Sequence, residues 1–139
     1  MLHYLLLLLI SLSPQKKQEK NNKEIIIALE RTACYGDCPV YKIEIYKDNS
    51  GIYHGKRFVQ KIGYYNFQLT KSEVLNILQT ADDIEFNKMK NEYIEAISDL
   101  PTTFICIKEK KIKDYFGAPK TLKELEELID RTTQKNLDF

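Results

Sequence analysis

The chain has no tryptophan, and only two histidines and three cysteines occur among its 139 residues. Because His3 lies in the apolar N-terminal run, a Cys-His or Ser-His nucleophile would have to rely on His54 alone. The G-x-S-x-G, P-loop, H-E-x-x-H and G-x-G-x-x-G motifs are also missing. The sequence therefore predicts no catalytic residues, no metal ligands and no cofactor, and it favours a non-enzymatic protein.

The charge is almost balanced, with 21 Lys and Arg residues against 20 Asp and Glu residues. Nucleic-acid-binding domains usually carry a strong basic excess, so no nucleic-acid partner is expected. The hydrophobic content of 43% and the charged content of 29% are typical of a globular chain. The length suits a single domain, which we place at residues 24–131, followed by a polar tail at 132–139 that we expect to fray.

No apolar run is long enough to cross a bilayer, which takes about 20 residues. The run at residues 2–12 instead fits the apolar part of a secretory signal peptide, which we place at 1–13, with a polar linker at 14–23. A buried N-terminal strand or helix is the alternative, since no Lys or Arg precedes the run. No cysteine occurs near residue 20, so lipid attachment through such a cysteine is not expected. The prediction is an exported protein, periplasmic or extracellular, with no membrane span in the mature chain.

A short loop holds two of the three cysteines. Cys34 and Cys38 would lie about 13 Å apart in an extended chain, whereas a disulfide needs Cα atoms about 4.4–6.8 Å apart. Gly36 and Asp37 supply a turn between them, and Pro39 keeps Cys38 extended. We therefore predict a structural disulfide between Cys34 and Cys38.

Two other roles for this pair stay open at this point, a redox site and a soft-metal site at Cys34 and Cys38. Neither a C-x-x-C motif nor a second ligand pair accompanies it. Cys106 lies in the apolar segment Phe104-Ile105-Cys106-Ile107, where a thiol behaves as a small hydrophobe. We expect Cys106 to be a buried free thiol.

The hydrophobic pattern predicts an α+β fold, with an antiparallel sheet of five to six strands and two helices on one face. Asp48-Asn49-Ser50-Gly51 is a hairpin signal. The expected strands cover residues 24–32, 40–47, 52–55, 57–69, 102–108 and 110–116.

Two capping boxes mark the helix starts, Thr70-Lys71-Ser72-Glu73 and Thr121-Leu122-Lys123-Glu124. The helical period then predicts one apolar face on each helix. In the first helix this face is Val74, Leu75, Leu78 and Ala81, with Ile77 at its flank, and in the second it is Leu122, Leu125, Leu128 and Ile129.

Further polar residues stand in segments without periodicity. Asp99 precedes Leu100-Pro101 and is interpreted as a turn former, with an acidic site as the alternative. Asp114 lies beside Tyr115, where it could bond backbone amides near the cysteine loop or form a carboxylate pair with Asp99. The candidate binding residues are Tyr35, Gly36, Asp37, Tyr41, Asp99, Asp114 and Tyr115.

Four segments together resemble a bacterial family of uncharacterised domains with a C-x-G-x-C-P-x-Y loop. The segments are residues 31–41, Tyr53-His54-Gly55, Asp99-Leu100-Pro101-Thr102 and residues 114–119, and the resemblance covers residues 25–130. It implies an exported or lipid-anchored domain but no activity.

Asn49 stands where such hairpins usually have glycine, and Glu109-Lys110-Lys111 also lacks a glycine, so we expect a longer or irregular second hairpin. The function expected is a binding or interaction module of the cell envelope, with an unknown protein or small ligand as partner.

Overall fold

The computed structural model describes residues 23–137, which form one sheet and two α-helices. The expected signal peptide, most of the expected linker and the last two residues lie outside the described residues. The helices are α1 (Lys71–Asp83) and α2 (Lys120–Asn136). The strands are β1 (Ile25–Arg31), β2 (Val40–Tyr46), β3 (Ser50–Arg57), β4 (Gly63–Gln68), β5 (Glu92–Tyr93), β6 (Thr103–Ile107) and β7 (Lys110–Asp114).

The sheet has seven strands in the order β4-β3-β2-β1-β6-β7-β5. Every neighbouring pair is antiparallel except β5 and β7, which run parallel, so the sheet is mixed. The α+β class is confirmed, but the predicted five to six antiparallel strands are not. The additional strand β5 has only two residues, too few for a hydrophobic pattern to reveal.

Both helices pack on one face of the sheet. Alternate residues along each central strand are buried, and in β2 these are Tyr41, Ile43 and Ile45, as predicted. Lys42 and Glu44 point to the other face and are partly exposed. The buried strand residues form one core cluster with α1 and α2, including Ile27, Leu29, Ile105, Ile112, Val74, Ile77, Leu122, Leu125 and Ile129.

Each of the two hairpin turns contains a residue with positive φ that is not glycine. Asn49 takes a φ of 64°, which asparagine tolerates better than most residues, and closes the predicted β2–β3 turn. Lys108 takes a φ of 54° between β6 and β7. The expected longer connection is therefore wrong, since only Lys108 and Glu109 separate these strands. The strand predicted from residue 57 begins instead at Gly63, because residues 58–62 form a loop.

The first helix begins as its capping box predicts. Thr70 Oγ1 accepts a hydrogen bond from the Glu73 amide at 3.2 Å, and Glu73 Oε2 accepts one from the Thr70 amide at 2.8 Å. The bond from the Thr70 amide, supported by side-chain bonds from Asn136 and Lys135, lowers the pKa of Glu73 to about 2. The expected apolar face needs one correction, because Ile77 is fully buried whereas Leu75 is 53% exposed.

The second helix differs from its prediction at both ends. It begins at Lys120 after Pro119, and no side chain caps it, so the predicted box at Thr121–Glu124 does not form. Proline has no amide hydrogen, so none is left without a hydrogen-bond partner at this position. Its fixed φ also suits a helix start. The expected fraying from Thr132 is also wrong, since α2 continues to Asn136 and both Thr133 and Leu137 are buried.

Cys106 is a free thiol, as predicted, but it is only partly buried. It alternates with Ile105 and Ile107, which face the helices, so its side chain lies on the opposite face of the sheet. Partial burial raises the pKa of the Cys106 thiol. The expected core position of this thiol is wrong, because only alternate residues of a strand share a face and Ile105 and Ile107 occupy the core face here.

Candidate functional site

Four loops leave the sheet at the same end. Arg31 pairs with Tyr41 and Thr103, Thr103 pairs with Asp114, and Tyr41 pairs with Gly55, so these residues form one row across five strands. The four loops connect directly to the strand ends near this row. They are residues 32–39, 58–62, 94–102 and 115–119, and we call them together the loop end.

The loop end brings together segments that the sequence singled out separately. The Thr32 amide donates a hydrogen bond to the Thr102 carbonyl at 3.0 Å, and the Thr102 amide donates one to Thr32 Oγ1 at 3.0 Å. Tyr115 accepts a bond from the Leu100 amide at 3.4 Å and donates one to the Ile97 carbonyl. The cysteine loop, the Asp99–Thr102 segment and the Asp114–Pro119 segment are therefore neighbours in space.

The cysteine loop has the geometry of a disulfide. The Cys34 and Cys38 sulfurs lie 1.95 Å apart, and their Cα atoms lie 5.7 Å apart. The Gly36 amide lies 3.2 Å from the Cys34 sulfur, which supports the turn between the two cysteines. This loop closure fixes the chain just before it enters β2.

We expect a Cys34→Ser, Cys38→Ser double variant to keep its fold and to lose about 2 kcal/mol of unfolding free energy, because closing so short a loop removes little chain entropy. Urea denaturation followed by circular dichroism measures this loss. Cys106→Ser is the control, since its thiol is not in the bridge. Rapid alkylation of Cys34 and Cys38 in oxidised native protein would contradict the disulfide, and a reduction potential near that of cellular thiol exchangers would favour the redox alternative.

Exposed apolar side chains are concentrated at the loop end. Tyr35 on the cysteine loop is 90% exposed and Phe58 on the next loop is 51% exposed. Concentrations of exposed apolar surface often mark interaction sites, and loops on a rigid scaffold often carry function. The other exposed large apolar residues on these loops are Ile62, Ile94, Ile97 and Phe116.

A cavity of about 440 Å³ opens at the loop end. Tyr41 and Tyr53 contribute aromatic rings whose centroids are 5.6 Å apart. Pro39, Phe58 and Val59 extend this wall from the loops. A concave surface that combines apolar and polar side chains is an ordinary setting for a small-molecule site.

A charged network lies immediately behind Tyr41. Arg31 Nη2 binds Asp130 Oδ2 at 2.6 Å, and Arg31 Nη1 donates to Thr103 Oγ1 at 2.9 Å. The Tyr41 hydroxyl accepts from Arg31 Nε at 2.8 Å and donates to Asp130 Oδ1 at 2.6 Å. Burial is the largest single effect and opposes the charge of Arg31, but Asp130 and the other neighbours together outweigh it and raise the pKa of Arg31. Burial and Asp130 also raise the pKa of Tyr41, which stays a neutral phenol.

A carboxyl pair lies farther along α2. Asp114 and Glu126 are each 1% exposed, and Lys123 forms an ion pair with Asp114. Within residues 23–137, Asp114 Oδ1 and Glu126 Oε1 have no hydrogen-bond partner, and Lys123 is the cation beside Asp114 Oδ2. Burial first and the negative charge of Asp114 second raise the pKa of Glu126 to about 8. Glu126 therefore stays mostly protonated near neutral pH.

This pair predicts a distinctive pH dependence for Glu126→Gln. The folded pKa of Glu126 is raised above its ordinary value of 4.5, so its contribution to stability is fully present below about 4.5 and is lost as pH rises toward 8. The glutamine mimics the protonated acid and does not lose this contribution. Relative to the native protein, the variant should therefore gain more than about 1 kcal/mol of unfolding free energy across this window.

Urea denaturation at a series of pH values gives the difference between the two proteins directly. Glu127→Gln is the matched control, because Glu127 is the next residue of α2 and is exposed. A stability difference between Glu126→Gln and the native protein that does not change with pH would contradict the raised pKa of Glu126.

The seven predicted binding residues have different surroundings. Tyr41 and Asp114 belong to the buried polar groups, whereas Tyr35, Gly36 and Asp37 are exposed on the cysteine loop. Tyr115 is partly buried and links two loops. Asp99 is exposed with a φ of 70°, which fits a turn former, and Asp114 has Glu126 rather than Asp99 as its carboxyl neighbour.

Sequence reasoning missed Arg31, Glu126 and Asp130. A signal for Glu126 was available, because it falls at helical spacing from Leu122 and Ile129 on the apolar face of α2. An acidic residue at such a position must find a partner or a proton. Arg31 likewise continues the alternation of Ile27 and Leu29 in β1.

Two further observations apply to the described part of the chain. Within residues 23–137, no group of three or more His, Cys, Asp or Glu side chains is arranged to hold a metal ion. Across the same residues, no helix has the length and hydrophobicity to cross a bilayer.

Comparison with known proteins adds a family but no activity. A family model described as a domain of unknown function, DUF6438, matches residues 25–133. This range closely follows the extent of the resemblance seen in the sequence. No curated protein matches the chain.

Proposed function

The chain belongs to the DUF6438 family of domains of unknown function, and we propose that it is an exported, non-enzymatic binding module of the cell envelope that uses the loop end as its contact surface. The observation that carries this proposal is the concentration of exposed apolar side chains there, from Tyr35 and Phe58 to Phe116. One of them, Phe58, also lines a cavity of about 440 Å³ at the same end of the sheet. The partner is a protein or a small ligand.

The scaffold below the loops supports a binding role. The bonds between Thr32 and Thr102 and the bond from Leu100 to Tyr115 tie separate loops together. The disulfide geometry of Cys34 and Cys38 holds the cysteine loop in one shape. A preorganised surface loses less conformational entropy on binding than a flexible one, which favours affinity.

Site-specific photo-crosslinking tests the contact surface. A photoreactive phenylalanine analogue is placed at Phe58 on the loop end or at Leu75 on α1, and the full chain is produced in its native cells. The two positions are matched, since Phe58 is 51% and Leu75 is 53% exposed. We expect a discrete crosslinked product from position 58 and none from position 75. Equal yields at both positions, or no product at position 58, would count against the proposal.

Export rests on the apolar run at residues 2–12 and on the disulfide geometry, because disulfides persist mainly in oxidising compartments. Cell fractionation of the full-length chain tests it. We expect a shortened protein outside the cytoplasm, with Cys34 and Cys38 oxidised. Finding only the uncleaved chain in the cytoplasm would overturn export while leaving the binding surface to be judged by crosslinking.

A further inference from the structure

We propose that the cavity at the loop end binds a neutral sugar ring, an inference that rests on the proposed binding function and specifies its ligand. The cavity lies between the loops, β2, β3 and the C-terminal half of α2, and its volume is about 440 Å³. It opens to solvent beside Phe58, which gives a ligand access. Three properties of its wall select the ligand class.

The first property is the absence of charge. Among the described residues that line the cavity, none is acidic or basic. The nearest charged groups of the network, Arg31 and Asp130, are paired with each other behind the Tyr41 hydroxyl. A carboxylate, phosphate or amine would lose hydration on entering this cavity without gaining an opposite charge. The wall therefore favours a neutral ligand.

The second property is the aromatic surface. The Tyr41 and Tyr53 rings, whose centroids are 5.6 Å apart at an angle of 31°, lie at the base of the cavity and are only 8% and 7% exposed. The Tyr41 hydroxyl is already occupied as both acceptor and donor. Most of the aromatic surface that a ligand can reach therefore comes from Phe58, which is 51% exposed. Aromatic faces carry a negative quadrupole potential, which suits the C–H bonds on the flat side of a saturated ring.

The third property is a pair of amides. Gln60 comes from the β3–β4 loop and Gln134 comes from α2, and both line the cavity. Neither side chain has a hydrogen-bond partner among residues 23–137. Each amide offers two donors and an acceptor, which matches a ligand whose groups both donate and accept. Hydroxyl groups on a ring have this character, whereas carboxylates and phosphates mainly accept.

Phe58 completes the site at its rim. Its φ of 53° is rare for a bulky residue and costs conformational energy. Such strained residues are found preferentially at functional sites. Here the unusual backbone keeps an aromatic ring 51% exposed beside the cavity, where it can cover one side of a ligand.

Nuclear magnetic resonance titration of the isotope-labelled protein, isolated from cells that produce the full chain, tests the inference. The probes are methyl glucoside, N-acetylglucosamine, glucuronic acid as a charged sugar, and N-acetylproline amide as a neutral peptide-like ring. We expect the two neutral sugars to shift the amide signals of Tyr41, Tyr53 and Gln60 at millimolar concentration. Glucuronic acid should bind at least about tenfold more weakly, because its carboxylate must be desolvated.

A variant pair separates the cavity from the rest of the surface. Gln134→Ala should weaken sugar binding about tenfold, the loss expected when a ligand's hydroxyl group is left without its partner. Gln79→Ala, on the exposed side of α1, should leave the affinity unchanged. Equal binding of glucuronic acid, or no shift with either neutral sugar, would overturn the sugar inference. Shifts with the proline amide alone, or crosslinking at position 58 without sugar binding, would overturn it and leave the proposed binding function intact.

Discussion

Replacing Arg31 with methionine is expected to lower the free energy of unfolding by about 2–4 kcal/mol, which would be among the largest losses from a single side chain in this protein. The methionine removes the guanidinium that Asp130 Oδ2 binds at 2.6 Å and that also contacts the Tyr41 hydroxyl and Thr103. Asp130 would keep its charge with only the Tyr41 bond to stabilise it. The Arg31 side chain is 25% exposed, so water reduces the loss below that of a fully buried ion pair.

Urea denaturation of three variants tests this prediction. Arg31→Lys keeps the positive charge but not the planar guanidinium. Its loss of unfolding free energy should therefore be smaller than that of Arg31→Met but still measurable. Lys56→Met is the control, because the Lys56–Glu30 ion pair, 3.0 Å long, also lies on the sheet, but its side chains are 37% and 35% exposed. The control should lose less than about 1 kcal/mol. Equal losses for Arg31→Met and Lys56→Met would show that the network contributes no more than a surface ion pair.

The network explains what the sequence could and could not predict. The capping box of Thr70 and Glu73 was predictable because both partners lie within one helical turn. The alternation in β2 was predictable for the same reason, since each residue's face follows from its neighbours. Local patterns of this kind determine the α+β class and most of the strands.

The polar site depends on contacts between distant parts of the chain. Arg31 is separated from Asp130 by 99 positions and from Thr103 by 72 positions. Such pairs are set by the order of strands in the sheet and by the path of α2 across it, and neither follows from a local pattern. The candidate residues Tyr41 and Asp114 could be named from the sequence, but their neighbours Arg31, Asp130 and Glu126 could not.

The start of α2 shows how two local signals can compete. Thr121 and Glu124 form a correct capping sequence, yet Pro119 precedes them and already has the backbone geometry of a helix start. Because the helix begins earlier, Thr121 lies inside its first turn and cannot act as the cap. The sequence contains both signals, and the helix starts directly after the proline rather than at the capping box.

Replacing Gly55 with alanine is expected to lower the free energy of unfolding by about 3 kcal/mol, the upper part of the range for overpacked sites. An added Cβ at Gly55 would lie 1.8 Å from the Lys61 carbonyl oxygen and 2.9 Å from a Val59 methyl group. The backbone of the 58–62 loop therefore folds directly over Gly55, and a rotamer change in one side chain cannot relieve the clash. The loop must move away from β3.

The displaced loop should also alter the cavity, because Phe58, Val59 and Gln60 line it. Thermal and urea unfolding measure the stability loss, and the amide signals of residues 58–60 in nuclear magnetic resonance spectra report the loop movement. Gly36→Ala is the matched control, since its added Cβ would approach only the Cys34 sulfur, at 3.9 Å. We expect the control to keep both its stability and its spectrum. A Gly55→Ala protein with unchanged stability and unchanged loop signals would contradict the close packing of this loop on β3, and with it the shape of the cavity on which the sugar proposal depends.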